Sequence, residues 1–418
     1  MEAAATNLKS GVGGAGSHRR VGLFGNFGTG NLGNEATLEA ALAGVRKFTG
    51  ANDLVCICSN PQEVAATYRL PVVPIRWKSG EGSPDIRNRW LRLPVKLLMR
   101  IPQEMKLLIR AYQTLRRLDM LIVAGTGILD DFAIRAQDLP YDLFKWSILA
   151  WVCRVKLVFL SVGAGPLDHR LSRIFVRWSL RGAAYRSYRD QFSRDYLASI
   201  GFTDERDVIA PDLAFGLPTG ELPLRASALG TRPVVGIGVM SYYGVRGDPV
   251  VGELIYNTYM AKLAEFGAWL VENDYEVRLL LGDTGVDQRA MQDFRMHLSA
   301  LVGRDDAIVV VPLWTVAQLL EQIALTDVVV ATRFHNILLS LLLERPAISI
   351  SYNEKNDDLM REMGLAKFCQ PIEDLNVATL IEQFTELVGA LAPYRDRVSS
   401  MANNYAQQLE EQYAQVFS

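Results

Sequence analysis

Two doubly wound, Rossmann-like α/β domains facing each other across a cleft are the fold this sequence predicts, and three observations predict it. Short β-branched and aliphatic runs alternate with helical segments of about 10–20 residues, the spacing of crossover connections in a parallel sheet. The alternation runs through once, breaks at a stretch containing proline and glycine, LPLRASALGTRP (222–233), and then starts again. At 418 residues the chain is also too long for one ordinary core.

In the first half VGLFGNF (21–27) reads as the opening strand, followed by a glycine-rich turn and a helix from Glu35 to Lys47. DLVCICSN (53–60), LDMLIVAGTGI (118–128) and VKLVFLSVGAG (155–165) are further strands, and the segments around 183–189 and 207–215 complete the unit. Residues 85–118 form a long basic, amphipathic region. The second half offers PVVGIGVM (233–240), YEVRLLLGD (275–283), AIVVVPL (307–313), DVVVAT (327–332) and PAISIS (346–351) as strands. Residues 394–417 read as a helix placed to pack back across the boundary. The expected organisation is a disordered tail over 1–20, an N-terminal α/β domain over 21–222, a linker over 223–232, a C-terminal α/β domain over 233–392 and a C-terminal helix over 393–418. Such a pair of domains is a glycosyltransferase-B-like architecture.

Composition narrows the function classes. Apolar content of 49% with 22% charge is ordinary for a soluble enzyme, and a formal net charge of -2 provides no global attraction to nucleic acid. Cys56 and Cys58 fall on one face of a predicted strand, where buried small hydrophobes are expected rather than a metal or redox site. The four histidines form no H-x-x-H pattern, so no protein-bound metal is expected, and Asp130-Asp131 reads as helix-start charge. Residues 1–20 have no apolar core of a signal peptide, and no run is long and apolar enough to span a bilayer. The expected location is cytoplasmic.

The stretch from Asp327 to Leu365 is the most informative. DVVVAT stops at Arg333-Phe334-His335, an apolar helix follows, and PAISIS ends in SYNEKND, which starts another helix. Two successive strands would then bring Arg333, His335 and Lys355 to the C-terminal edge of the sheet, where open α/β folds bind ligands. Neighbouring strands lie about 4.8 Å apart, so the three side chains can meet on one small anion, with helix N–H groups adding to the attraction. Against this stands a buried Arg333–His335 pair that merely holds the strand end, and a solvated Lys355 beside Glu354, Asp357 and Asp358.

Gly28-Thr29-Gly30-Asn31-Leu32-Gly33 spells G-x-G-x-x-G between a strand and a helix. The following strand ends in CICSN, with no acid placed to hold a ribose hydroxyl, which argues against a dinucleotide. A purely structural glycine turn and a substrate loop are the other readings. Arg189-Asp190 is either a helix-capping pair or part of a site, and Asp212, before the apolar LAF, is placed to support a cleft.

The R-F-H strand end, followed by a strand and S-Y-x-x-K, resembles the signature of polysaccharide pyruvyl transferases. GNFGTGNLGNEATLEAAL (25–42), GTGILDD (125–131), SVGAGPL (161–167), SYRDQFSRDYL (187–197) and APDLAF (210–215) fall in that family's order. The resemblance implies transfer of pyruvate from phosphoenolpyruvate to a sugar of a cell-wall or extracellular glycan, forming a ketal, with no cofactor and no required metal. It implies substrate-binding roles for Gly30, Asn31, Arg189, Arg333 and Lys355, and turns Asn31 and Glu35 toward the cleft. Arg333 would grip two anion oxygens as a planar fork. His335 is the candidate acid/base, since its ordinary pKa lies near neutrality. Beside Arg333 it is harder to protonate unless substrate anions offset that charge. Glu35 or Asp212 would activate the acceptor hydroxyl, and the sequence does not choose between them. A nucleotide-sugar-dependent glycosyltransferase in the same cleft and a non-catalytic glycan-binding partner are the competing classes. The basic, aromatic-interleaved region 86–117 and the patch from Arg170 to Arg181 suggest, beside ordinary packing, peripheral contact with anionic lipid on the inner face of the cell membrane, where a lipid-linked saccharide acceptor would reside.

Overall fold

The computed structural model describes residues 19–49, 53–76, 104–131, 135–220, 232–244, 248–303 and 308–418, together with Pro102 and Leu222. In chain order the first half runs β1 (Val21–Gly25), α1 (Leu32–Thr49), β2 (Leu54–Cys58), α2 (Pro61–Tyr68), β3 (Val72–Pro74), α3 (helical residues 104–115), β4 (Met120–Ala124), α4 (Leu139–Val152), β5 (Lys156–Val162), α5 (Arg170–Arg181), β6 (Tyr185–Tyr188), α6 (Gln191–Ser199) and β7 (Val208–Ile209). A 3₁₀ turn over Leu213–Gly216 follows. The second half runs β8 (Val234–Val239), α7 (Pro249–Glu272), β9 (Glu276–Leu281), α8 (Gln288–Val302), β10 (Ile308–Val309), α9 (Val316–Ala324), β11 (Val328–Ala331), α10 (Phe334–Leu342), β12 (Ala347–Ser351), α11 (Glu354–Glu362), β13 (Cys369–Pro371), α12 (Val377–Gly389) and α13 (Leu391–Phe417).

The strands form two sheets, in orders β3-β2-β1-β4-β5-β6-β7 and β10-β9-β8-β11-β12-β13. All pairings are parallel. Each sheet starts from a central strand and winds outward to both sides, so each half is a Rossmann-like unit. Helices on both faces leave the central strands no wet side, which is why VGLFG, VVGIGV, VVVA and AISIS are continuous runs of buried residues. Burying each Val, Leu or Ile this way contributes roughly 1.5–3 kcal/mol. Cys56 and Cys58 are buried, are not joined by a disulfide and pack in the core.

Several local expectations shift. The short strands β3 and β13 are additions, each of three residues at or near a sheet edge. Helix α1 begins at Leu32, ahead of Glu35, because Asn31 caps it: its side-chain oxygen accepts from the N–H groups of Gly33 and Asn34. Residues 1–18 of the predicted tail, 223–231 of the predicted linker and most of 77–103 lie outside the described residues. Helix α13 starts beside the second sheet and ends on the first half. There Gln412 bonds Ser161 and Ser187, Lys156 donates to the Val416 carbonyl, and Arg19 donates to that of Phe417.

Candidate functional site

Both sheets present the C-terminal ends of their strands to a shared cavity of about 720 Å³. The second sheet supplies Arg333, Phe334 and His335 after β11, and Tyr352, Asn353 and Lys355 after the adjacent β12. The first supplies Asn26, Asn31 and Asn34 after β1, Thr126, Gly127, Ile128 and Asp130 after β4, Gly163 to Pro166 after β5, and Arg189 after β6. Arg189, Arg333, His335 and Lys355 are therefore brought together from three β–α junctions.

Arg333 is the N-cap of α10 and His335 lies in that helix's first turn, so the R-F-H segment opens the helix rather than ending the strand. The helical start turns them to different neighbours. Arg333 donates from Nε and Nη2 to the two Asp287 oxygens at 2.7 and 2.6 Å. The two-point grip expected for a ligand is thus occupied by a protein carboxylate, one with no solvent exposure. Burial works against the Arg333 charge, and Asp287 more than restores it. Nη1 makes neither of these two bonds.

Arg189 is similarly held. Its Nε meets Asp190 at 3.2 Å, its Nη1 meets Asp212 at 3.4 Å, and its guanidinium lies 4.8 Å from the Phe334 ring centroid. Gly163 has to be glycine for this packing, since a Cβ there would lie 2.7 Å from the guanidinium carbon. Lys355, in the first turn of α11, differs. Among the described residues it forms no salt bridge, and its Nζ sits over the rings of Tyr352 and Phe334 at 4.9 and 5.8 Å. Burial alone would raise the Tyr352 hydroxyl, yet Lys355, Arg333 and Arg189 offset it and hold the pKa below the usual tyrosine range. At the Tyr352 hydroxyl, then, the neighbouring cations outweigh burial.

His335 is enclosed, and burial pushes its pKa down to about 4; Asp212 pulls the other way, while Arg189, Lys355 and Arg333 add to the depression. Its Nε2 lies 4.0 Å from an Asp212 oxygen, beyond hydrogen-bond reach, and is buried with no hydrogen-bond partner among the described residues. Near neutral pH the ring is uncharged. Asp212 itself caps the 3₁₀ turn by accepting from Ala214 N–H, behind Arg189 and His335 rather than on the main cavity wall.

The glycine loop is committed mostly to protein contacts. Gly30, at φ +87°, gives its carbonyl to the Thr284 N–H and hydroxyl, and a Cβ there would meet the Thr284 hydroxyl at 2.6 Å. Leu32 donates to Gly282, so the loop clasps the β9–α8 turn of the opposite half. Gly33 packs so closely on His335 that a Cβ would lie 2.0 Å from Nδ1. Asn31 lines the cavity, but Glu35 is not among its lining residues. Glu35 turns back into its own loop, accepting from Gly28 N–H at 2.7 Å beside Tyr68 and Glu39, and burial raises its pKa to about 7. Asp131 accepts from the N–H groups of Asp168 and His169 ahead of α5, while Asp130 lines the cavity. Among the described residues no three His, Cys, Asp or Glu side chains gather to hold a metal ion.

Sequence reasoning passed over Asp287 and Tyr352. Asp287 stands 46 positions from Arg333 in a polar turn, GDTGVD, and nothing local marks the pairing. Tyr352 was visible inside S-Y-x-x-K, where an aromatic between a buried strand and a charged helix start needs a reason to be there.

The family model for polysaccharide pyruvyl transferase matches residues 31–354. The chain belongs to the polysaccharide pyruvyl transferase family. The matched span takes in the glycine loop from Asn31, the Arg189 junction and the Arg333–His335 turn, and stops one residue before Lys355. No curated protein matches the sequence. Among solved structures, Anabaena HepE in complex with UDP and glucose is similar at 13% identity, covering 96% of this chain and 99% of that one with a TM-score of 0.58. A UDP-GlcNAc 2-epimerase from Methanocaldococcus jannaschii is similar at 12% identity, covering 88% and 91% with a TM-score of 0.57. A Neisseria meningitidis UDP-GlcNAc 2-epimerase bound to UDP-GlcNAc is similar at 9% identity, covering 93% and 98%, also with a TM-score of 0.57. At these identities the likeness is one of fold: this polysaccharide pyruvyl transferase family member has the glycosyltransferase-B-like arrangement of two Rossmann-like halves.

Proposed function

We propose that this transferase-family protein moves pyruvate from phosphoenolpyruvate to a saccharide destined for a cell-wall or extracellular glycan, forming a cyclic ketal. The observation that carries the reading is Lys355, a cation without a carboxylate partner among the described residues, beside Arg333 and Arg189 in one cavity. A small dianion with a phosphate and a carboxylate fits that field. Lys355 acts as the point charge, and Arg333 adds the N–H groups that Asp287 does not take. The asparagine-rich wall built by Asn26, Asn31 and Asn34 suits the hydroxyls of a sugar.

In the proposed reaction the methylene carbon of phosphoenolpyruvate takes a proton, leaving an oxocarbenium-like centre at the carbon that bears phosphate. A sugar hydroxyl adds there and gives up its proton, and the carbon–oxygen bond to phosphate breaks. A second hydroxyl then adds, loses its proton and closes the ketal. His335 is uncharged in the empty cavity, which suits it to take a hydroxyl proton. The anions of phosphoenolpyruvate oppose the cations that depress its pKa, so binding raises the share of the ring that carries a proton to give. Asp212 supports the charged ring from behind, and Glu35, turned into its loop, takes no part in this scheme.

Calorimetric titration with phosphoenolpyruvate tests the proposal. Saturable binding that Lys355→Ala weakens is the expected result. A nucleotide-sugar donor is the second reading, favoured by neighbours solved with UDP or UDP-GlcNAc. Binding of UDP with none of phosphoenolpyruvate would install that reading instead.

A further inference from the structure

One surface of the first half remains unaccounted for by the cavity. Helices α3, α4 and α5 lie on the same face of the first sheet, their inner residues sharing one core that includes Ala111, Leu115, Trp146, Ala150, Val176 and Leu180. Their outward side is not the polar surface such helices normally show. On α5, Leu171, Ile174 and Trp178 are each about half exposed, at spacings of three and four that form a single ridge. Alongside it run Arg170, Arg173, Arg177 and Arg181, and the helix contains no acidic residue. Helix α3 repeats the design: Met105, Ile109 and Tyr112 are exposed at the same spacing, beside Lys106 and Arg110.

Helix α4 joins the two. Its Tyr141 and Phe144 rings lie 5.4 and 5.1 Å from Phe175 of α5, and Lys145 bonds Glu104 at the start of α3. Trp151, 68% exposed, and Val152 end it. The apolar strip is therefore continuous across α4 and α5 and bordered by guanidinium groups. Its upper end meets the cavity rim, because Leu139 and Asp142 in the first turn of α4, and Pro166 just before α5, line the cavity. An apolar ridge flanked by arginines, without carboxylates on α5, matches a surface with anionic headgroups over hydrocarbon better than the mixed charges of a protein partner.

We infer that the outer face of α3, α4 and α5 seats the protein on an anionic membrane, with the apolar ridges at the headgroup boundary and the arginines on lipid phosphates. The inference rests on these helices and not on the pyruvyl-transfer reading. If both hold, the cavity mouth lies beside the bilayer and an acceptor carried on a lipid reaches it along α4.

Flotation of the full chain with phosphatidylcholine vesicles, with and without phosphatidylglycerol, tests it. Two double variants separate the components: Arg170→Glu with Arg181→Glu, and Ile174→Ser with Trp178→Ala, none of them among the cavity-lining residues. The expected result is capture by the anionic vesicles alone, released by high salt. Each basic residue at such a surface is worth a factor of roughly five in affinity, so the charge variant should bind more than tenfold more weakly. The apolar variant should lose the capture that remains at intermediate salt. Far-ultraviolet circular dichroism and phosphoenolpyruvate titration of the same preparations show whether folding and the cavity are intact. Wild-type protein that ignores anionic vesicles at low salt overturns the inference, as does capture that neither variant changes. Light scattering provides the remaining check: concentration-dependent dimers that the apolar variant abolishes, without lipid capture, would assign the face to a second copy of the chain.

Discussion

The glycine loop between β1 and α1 and the Arg333–His335 turn between β11 and α10 each follow the C-terminal end of a strand in the middle of its sheet. They are used in opposite ways. The loop, with the more familiar ligand-binding spelling, spends Gly30 on Thr284, Gly33 on His335 and Glu35 on its own Gly28. The Arg333 turn, with no glycine at all, carries side chains of the cavity wall. Glycines mark a place where something comes close to the backbone, and here much of what comes close is the other half of the protein. One motif builds much of the seam between the halves, and the other gives most of its side chains to the cavity wall.

That contrast can be broken by mutation. The largest effect is expected from Asp287→Ala, which strands a largely enclosed arginine: about 3–5 kcal/mol of stability should be lost, seen as a lower denaturation midpoint. A loss under 1 kcal/mol would mean that Arg333 finds another partner and that its Asp287 contact is incidental. Arg333→Ala, read on protein that remains folded, should weaken phosphoenolpyruvate about ten- to a hundredfold, the equivalent of roughly 1.5–3 kcal/mol for a charge-assisted contact. Unchanged affinity would leave Arg333 a purely structural partner of Asp287.

Gly33→Ala comes next. It forces His335 out of position at a cost of about 1–3 kcal/mol for overpacking. Turnover should fall further than phosphoenolpyruvate affinity, because Lys355 is untouched. Smaller still is Thr284→Val, which removes the hydroxyl bond to Gly30 and should cost about 0.5–1.5 kcal/mol. If it instead abolishes activity with stability intact, Thr284 is a site residue and the loop is more than a clasp.

The final test is a pH slope. Glu35 has its pKa raised from 4.5 to about 7 in the folded state, so its contribution is complete below 4.5 and declines as pH rises through 7. His335 is shifted the opposite way, from 6.5 to about 4, so its contribution is present above 6.5 and lost as pH falls through 4. Glu35→Gln should flatten the decline on the alkaline side and leave the acid side alone. The reverse pattern in denaturation curves would show that the two groups have been assigned to the wrong limbs.

Much of this architecture was legible because parallel strands buried on both faces announce themselves as unbroken apolar runs. VVVA and AISIS, read as neighbours, are neighbours. The additional strands β3 and β13 escaped notice because three residues cannot show a period. At the site, the sequence could place Arg333, His335 and Lys355 at one sheet edge, but not say what each would touch. Asp287 captures the Arg333 fork from another β–α junction, and Glu35 turns inward on a helix that starts three residues early. Burial also moved His335 far from the neutrality on which its role as an acid was based. These are effects of long-range packing, which local pattern does not encode.

Helix α13 has a mechanical consequence. The chain passes from the first half to the second once, between β7 and β8, and α13 returns it to the first half. Two bodies joined by a single strand of chain can twist as well as open. A second crossing, made by a helix of 27 residues, leaves two such bodies fewer ways to move against each other than a single crossing would. The cavity walls that carry Arg189 and Lys355 are therefore tied together at two places rather than one.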